Sequence, residues 1–194
     1  MHRHSILMLL ACGIFSLTGC LNALWTSANL FYDRHDVYKQ AWDMRLAAEA
    51  SHALYFKDKK FKCSSCYIDL AVFNRDILLA GHVPSARLRE EAQQRLARLH
   101  GYRRLFNQLG ISPRQKETLA DAWLTAKIRS RILADPAIDP DQFKIVTVDQ
   151  IVYLMGDVIP AQARRVIKIS RECSGVKRVV KLLKYYNLSD QALT

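Results

Sequence analysis

Three groups of residues carry side chains whose type and spacing could do chemistry. Cys63-Ser64-Ser65-Cys66 sets two thiols three positions apart, a spacing that serves a redox pair, half of a zinc site or a local disulfide. A redox pair normally opens a helix after a strand, and no such unit is legible around it. A zinc site needs two further ligands, and His82, His100 and Cys173 lack ligand-like spacing. The second group, Glu90-Glu91 beside Arg87 and Arg89, has the pattern of an ion-paired helix surface rather than an acid/base dyad. The third is Trp123 among Lys116, Lys127, Ser130 and Arg131, an indole ringed by basic and hydroxyl side chains. No Gly-rich phosphate loop, Gly-x-Ser-x-Gly elbow or His-Glu-x-x-His helix occurs. The sequence thus calls for binding rather than catalysis, with no catalytic residue, no metal and no cofactor.

Charge says what such a surface would meet. The chain has 194 residues, half of them hydrophobic, and 29 Lys+Arg against 18 Asp+Glu give a net +11. That length and apolar content allow one domain or two small ones with a real core, and exclude disorder throughout. The 7 Gly and 5 Pro exclude a collagen-like or low-complexity chain, and 5 Cys are too few for a disulfide scaffold. The excess of cations points to an anionic partner.

The first twenty residues narrow the partner. Met1-His2-Arg3-His4 is a short basic start, followed by an uncharged apolar run from Ile6 to Phe15. A membrane-spanning helix needs roughly 20 apolar residues, so this run reads as the core of a secretory signal instead. It ends in Leu17-Thr18-Gly19-Cys20, which resembles the lipobox of bacterial lipoproteins. The resemblance implies cleavage before Cys20 and acylation of its thiol, and Leu21 in place of Asp implies the outer membrane of a Gram-negative cell. Buried acyl chain contributes about 0.8 kcal/mol per CH₂, so two or three chains anchor a protein essentially permanently. Export argues against nucleic acid as the partner, and an oxidising compartment favours the disulfide reading of Cys63 and Cys66. Cys173 then reads as a small apolar residue of a helix. The segments are accordingly a signal peptide over 1–19 and a lipidated tether over 20–35, whose Leu24-Trp25 and Phe31-Tyr32 could rest among headgroups.

The remainder is written twice. Ile77-Leu78-Leu79-Ala80-Gly81-His82-Val83 matches Val152-Tyr153-Leu154-Met155-Gly156-Asp157-Val158, and His100-Gly101-Tyr102-Arg103-Arg104-Leu105 matches Ser174-Gly175-Val176-Lys177-Arg178-Val179. Upstream, Asp43-Met44-Arg45-Leu46 matches Asp121-Ala122-Trp123-Leu124. Near-constant offsets predict two tandem domains, 36–109 and 115–187, joined around Leu109–Pro113 and followed by a tail over 188–194. In the second copy, Leu124, Ile128 and Ile132 mark a helix over 119–134 with one core stripe. Strands follow over 143–148 and 151–155 around a turn at Asp149-Gln150. Gly156 marks a bulge or close backbone approach, a second helix spans 161–174, and a last strand spans 176–185, ending at Tyr185-Tyr186, whose rings read as edge or core packing. The expected fold class is α+β: per copy α-β-β-α-β, a three-stranded mixed sheet covered on one face by two helices.

That order resembles the BON domain, the bacterial osmotic-shock and nodulation domain. The resemblance rests on Gly81 and Val83, on Gly156 and Val158, and on Gly175-Val176-Lys177-Arg178-Val179. The first copy departs from the pattern with Tyr102 and a longer segment before its hairpin. Lipobox plus two such domains resembles the tandem-BON outer-membrane lipoproteins. The resemblance implies a non-enzymatic protein on the periplasmic face of the outer membrane, binding anionic phospholipid through its second domain and supporting envelope integrity, with other envelope proteins as further partners.

Both copies are basic: residues 33–110 hold 14 Lys+Arg against 9 Asp+Glu, and residues 111–186 hold 14 against 8. At about 100° per residue, Trp123 lies roughly 140° from the centre of its helix's core stripe, with Lys116, Ala120, Lys127, Ser130 and Arg131 on its side. Tryptophan favours the headgroup zone and cations meet phosphates there, so Trp123, Lys127, Arg131, Lys116 and Ser130 are the expected phospholipid contacts. A periplasmic scaffold whose basic faces meet protein or cell-wall partners is the competing reading.

Overall fold

In each copy a short polar residue on a helix fixes a hairpin. Asn74-Arg75 and Asp149-Gln150 all have positive φ, between 48° and 64°, and each pair closes a two-residue hairpin loop. Left-handed backbone is costly without glycine. It is held here by a carboxylate: Asn74 N and Arg75 N donate to Asp43 at 2.7 and 2.8 Å, and Asp149 N and Gln150 N donate to Asp121, both at 2.8 Å. The repeat match at Asp43 and Asp121 therefore has a physical cause.

The computed structural model describes residues 23–56, 59–112 and 118–186. Helix α1 (Ala23–Tyr55) leads to strands β1 (Tyr67–Phe73) and β2 (Asp76–Val83), helix α2 (Ala86–Leu96) and strand β3 (Arg104–Ile111). The second copy runs α3 (Thr118–Leu133), β4 (Phe143–Val148), β5 (Ile151–Val158), α4 (Pro160–Arg171) and β6 (Arg178–Tyr185). Each sheet is mixed, ordered β1-β2-β3 and β4-β5-β6, with an antiparallel first pair and a parallel second pair. From Trp42 onward the described residues belong to one compact unit, and α1 up to Ala41 to another.

Glycine is required at two matching places. Gly81 has φ +123°, and a Cβ there would run into the carbonyl of Tyr67 on β1. At Gly156 a Cβ would meet the carbonyl of Gln142, the close approach that the sequence suggested.

Several boundaries differ from expectation. The segment read as a tether is helical backbone from Ala23, while Cys20 and Lys116 lie outside the described residues. Leu109, Gly110 and Ile111 extend β3 by pairing with Gly81, His82 and Val83 rather than forming the connection. β5 continues through Gly156 to Val158, α4 stops at Arg171, and β6 begins at Arg178. Of the edge and core alternatives for Tyr185, the structure shows the edge one: the ring is exposed on the edge strand β6.

The sheets' second faces were left open by the sequence, and the structure accounts for them. On one face the helices cover each sheet: Leu46, Ala50 and Leu54 of α1 pack with Ile77 and Leu79, and Leu124, Ile128 and Ile132 of α3 pack with Val152 and Leu154. The opposite faces cover each other. Ala71, Leu78 and Ala80 of the first sheet share a core with Val146, Val148, Tyr153, Met155 and Leu182 of the second. β2 is consequently buried along its whole length and β5 nearly so. The two copies therefore share a third core.

Polar groups ring that shared core. Asp76 is 1% exposed. It accepts from Arg103 at 2.8 and 2.6 Å and from both Nε and Nη2 of Arg104. Arg103 also holds Asp157 of the second copy in a two-pronged pair at 2.8 and 2.7 Å, and Arg104 donates to the carbonyl of Leu182 at 3.3 Å. His82 Nδ1 lies 3.1 Å from Asp149 Oδ2 across the same junction.

Candidate membrane-docking helix

Helix α3 is positioned by its buried stripe and by Asp121, so its outer face is set by the fold. Leu124, Ile128 and Ile132 are buried, and Thr125 Oγ1 pairs with Thr147 Oγ1 of β4 at 2.8 Å. What remains outward is amphipathic across its width. Trp123 is 58% exposed and Leu119, four residues before it, 87% exposed. Lys127, four residues after it, brings Nζ to 4.5 Å from the indole centroid. A cation at that distance is attracted by the ring's electron-rich face.

Taking about 100° per residue, Lys127 and Arg131 fall roughly 40° and 80° to one side of Trp123, with Leu119, Ala126 and Leu133 to the other. Arg131, Ala126 and Leu133 are exposed, Leu133 at 69%. Neither Lys127 nor Arg131 takes a carboxylate partner among the described residues. Arg129, between them in sequence, turns to the sheet and donates to the carbonyl of Ile145 at 3.4 Å. An indole with aliphatic groups on one flank and, on the other, cations without acidic partners among the described residues is chemically suited to a headgroup zone.

The structure thus brings Trp123, Lys127 and Arg131 onto one outward face. Ser130 is on the same face, but its hydroxyl donates to the carbonyl of Lys127 at 3.0 Å, so its proton is used within the helix. Leu119 and Leu133 were not among the residues singled out. The signal for Leu119 was its place one turn before Trp123, and Leu133 was hidden by adjoining the core residue Ile132.

The other chemical groups resolve as structural features. Cys63 and Cys66 are joined as a disulfide in the segment after a one-turn 3-10 helix (Lys59–Lys62). That segment is fastened to the first copy by Phe61, which is buried beneath the Arg95 guanidinium, and by Lys60, which pairs with Glu91 at 2.7 Å. Glu91 also pairs with Arg95 at 2.7 Å, so its partners are Lys60 and Arg95 and not the adjacent Arg87 and Arg89. These two cations hold its carboxyl below the usual range. Cys173 is a buried free thiol in the second core. Among the described residues, no three His, Cys, Asp or Glu side chains gather as a metal site, and no helix is long and apolar enough to cross a membrane.

Comparison with known proteins agrees with this architecture. Residues 120–187 match the BON domain family model. The chain is 28% identical over 184 residues to "Outer membrane lipoprotein DolP" of Haemophilus influenzae, covering 92% of this chain and 94% of that one. It is 28% identical over 131 residues to "21 kDa hemolysin" of Actinobacillus pleuropneumoniae, covering 66% and 67%. Among solved structures, CdsD, a structural protein of the type III secretion system of Chlamydia trachomatis, aligns over 77% of this chain and 96% of that one at a TM-score of 0.32 and 7% identity. A likeness that slight carries no argument. The helix-strand-strand-helix-strand unit that presents Trp123 coincides with the residues that match the BON domain, and similarity to the DolP lipoprotein runs over nearly the whole chain.

Proposed function

We propose that the chain is a lipid-anchored protein of the outer membrane's periplasmic face that docks on anionic phospholipid through α3, and that this docking supports envelope integrity. The observation that carries the reading is the exposed strip of Leu119 and Trp123 beside Lys127 and Arg131, two cations without acidic partners among the described residues. The DolP-type relative is named an outer membrane lipoprotein, and Cys20 at the end of the lipobox-like segment supplies the acylation site. Acyl chains would supply the permanent attachment, and α3 the sensitivity to lipid charge. The work of the protein is then binding, with no reaction to catalyse.

Vesicle binding tests this. The purified full chain should sediment with phosphatidylglycerol-containing vesicles far better than with pure phosphatidylcholine once acyl insertion is accounted for by a Cys20→Ala chain. The preference should fall steeply as salt rises, because near 1 M the screening length is only about 3 Å. Equal binding of both lipids by the Cys20→Ala chain, or a preference indifferent to salt, would favour the scaffold reading in which the basic faces meet protein or cell-wall partners.

A further inference from the structure

A second cationic site lies on the first copy, away from α3. A cleft of about 440 Å³ opens between α1 and the loop after α2. Leu46 and Leu99 supply its apolar lining, Trp42 and Arg45 stand on the α1 side, and Arg75, Arg98 and His100 crowd the other. Its single acid, Glu49, is occupied by Arg45 at 2.9 Å. Arg75 and Arg98 take no carboxylate among the described residues.

The cleft is built rather than incidental. Arg75 sits in the left-handed hairpin turn with its backbone N held by Asp43, and its Nε donates to the carbonyl of Gly101 at 2.7 Å. Both ends of that side chain are thereby oriented, leaving its terminal N–H groups as donors. Trp42, one residue before Asp43, is 56% exposed and lies under the Arg45 guanidinium at 5.8 Å. A guanidinium fixed in this way is suited to phosphate, which accepts from it in a two-pronged fashion.

The second copy acts as an internal control. By the repeat's own offsets, Trp42, Arg75 and Arg98 correspond to Ala120, Gln150 and Glu172. The fold keeps its shape without these cations, so their presence in the first copy is not a requirement of folding.

We propose that this cleft is a binding site for a phosphate ester, with the phosphate on Arg75 and Arg98 and the ester's carbon skeleton against Trp42 and Leu99. The test uses the full chain in phosphatidylcholine nanodiscs with Trp25→Phe and Trp123→Phe, so that Trp42 is the only indole. Titration with hexyl phosphate should shift Trp42 emission saturably, and inorganic phosphate should compete with lower affinity. Arg75→Gln with Arg98→Glu, the second copy's own residues, should weaken hexyl phosphate by about tenfold or more, as expected on losing charged hydrogen bonds. A silent Trp42, an affinity unmoved by the double substitution, no competition by phosphate, or equal affinity for phosphate and its hexyl ester would overturn the proposal. Because Trp123 is absent throughout, failure here leaves the α3 reading standing, and failure of α3 leaves this one.

Discussion

Asp76→Ala is expected to destabilise the chain by about 3 kcal/mol, the scale seen when one partner is removed from a buried ion pair. The carboxylate is almost wholly buried, and its loss leaves Arg103 with Asp157 alone and Arg104 with no carboxylate among the described residues, at guanidiniums that are 26% and 32% exposed. Their partial exposure keeps the cost at the lower end of that range. Arg103 would keep Asp157 but lose the contact that ties the first sheet to it, so the junction between the sheets should loosen first. For a unit of this size, each kcal/mol shifts the melting temperature by about 2–4 °C, so a fall near 10 °C is expected by calorimetry. Acid should erase the difference. Burial pushes the Asp76 carboxyl up, but hydrogen bonds from Arg103 and Arg104, with their charges, outweigh it and hold the group below its usual value. A carboxyl depressed in the folded state stabilises above its unfolded value and loses that contribution as pH falls through the folded one. The melting gap between the wild type and Asp76→Asn should therefore be full at neutral pH and shrink as pH drops below about 4. A gap independent of pH would mean that the carboxylate's charge is not what holds the junction.

Reversing Lys127 and Arg131 together to Glu should lower affinity for phosphatidylglycerol vesicles by about a thousandfold at low salt. Each basic residue near an anionic surface contributes about 1 kcal/mol, and each reversal changes charge by two, which totals roughly 4 kcal/mol. The control is Arg164→Glu with Arg171→Glu, two exposed residues of α4. It changes net charge equally but leaves the Trp123 face intact, and should cost far less. Equal losses from the two variants would make binding a matter of total charge rather than of a particular face.

How much of this could be read beforehand depended on where the determinants lie. The second hairpin was legible because Asp149-Gln150 interrupts two β-branched runs, and the structure adds that Asp121 enforces the turn. The repeat exposed Asp43 and Asp121 as equivalent but not why, since the bond from helix to turn spans about thirty residues. The shared core was missed although its signal was present. Ile77-Leu78-Leu79-Ala80 is continuously apolar rather than alternating, as is Val152-Tyr153-Leu154-Met155, and such runs belong to strands buried on both faces. Asp76, Arg103 and Asp157 were invisible as a group because β2–β3 pairing brings the first two together and only the packing of one sheet on the other adds Asp157. On α3, helical periodicity placed Trp123, Lys127 and Arg131 outward correctly. It could not tell that the Ser130 hydroxyl turns back on its own helix, a local hydrogen bond that serine makes readily.

The most direct measurement puts the indole itself in the membrane. In a chain carrying Trp25→Phe and Trp42→Phe, Trp123 is the only tryptophan left. Its fluorescence should be strongly quenched by phosphatidylglycerol vesicles brominated on the upper acyl chain, and protected there from iodide in the water. If Trp123 emission is untouched by the brominated lipid and remains open to iodide while the protein is vesicle-bound, α3 does not lie on the bilayer and the docking account is wrong.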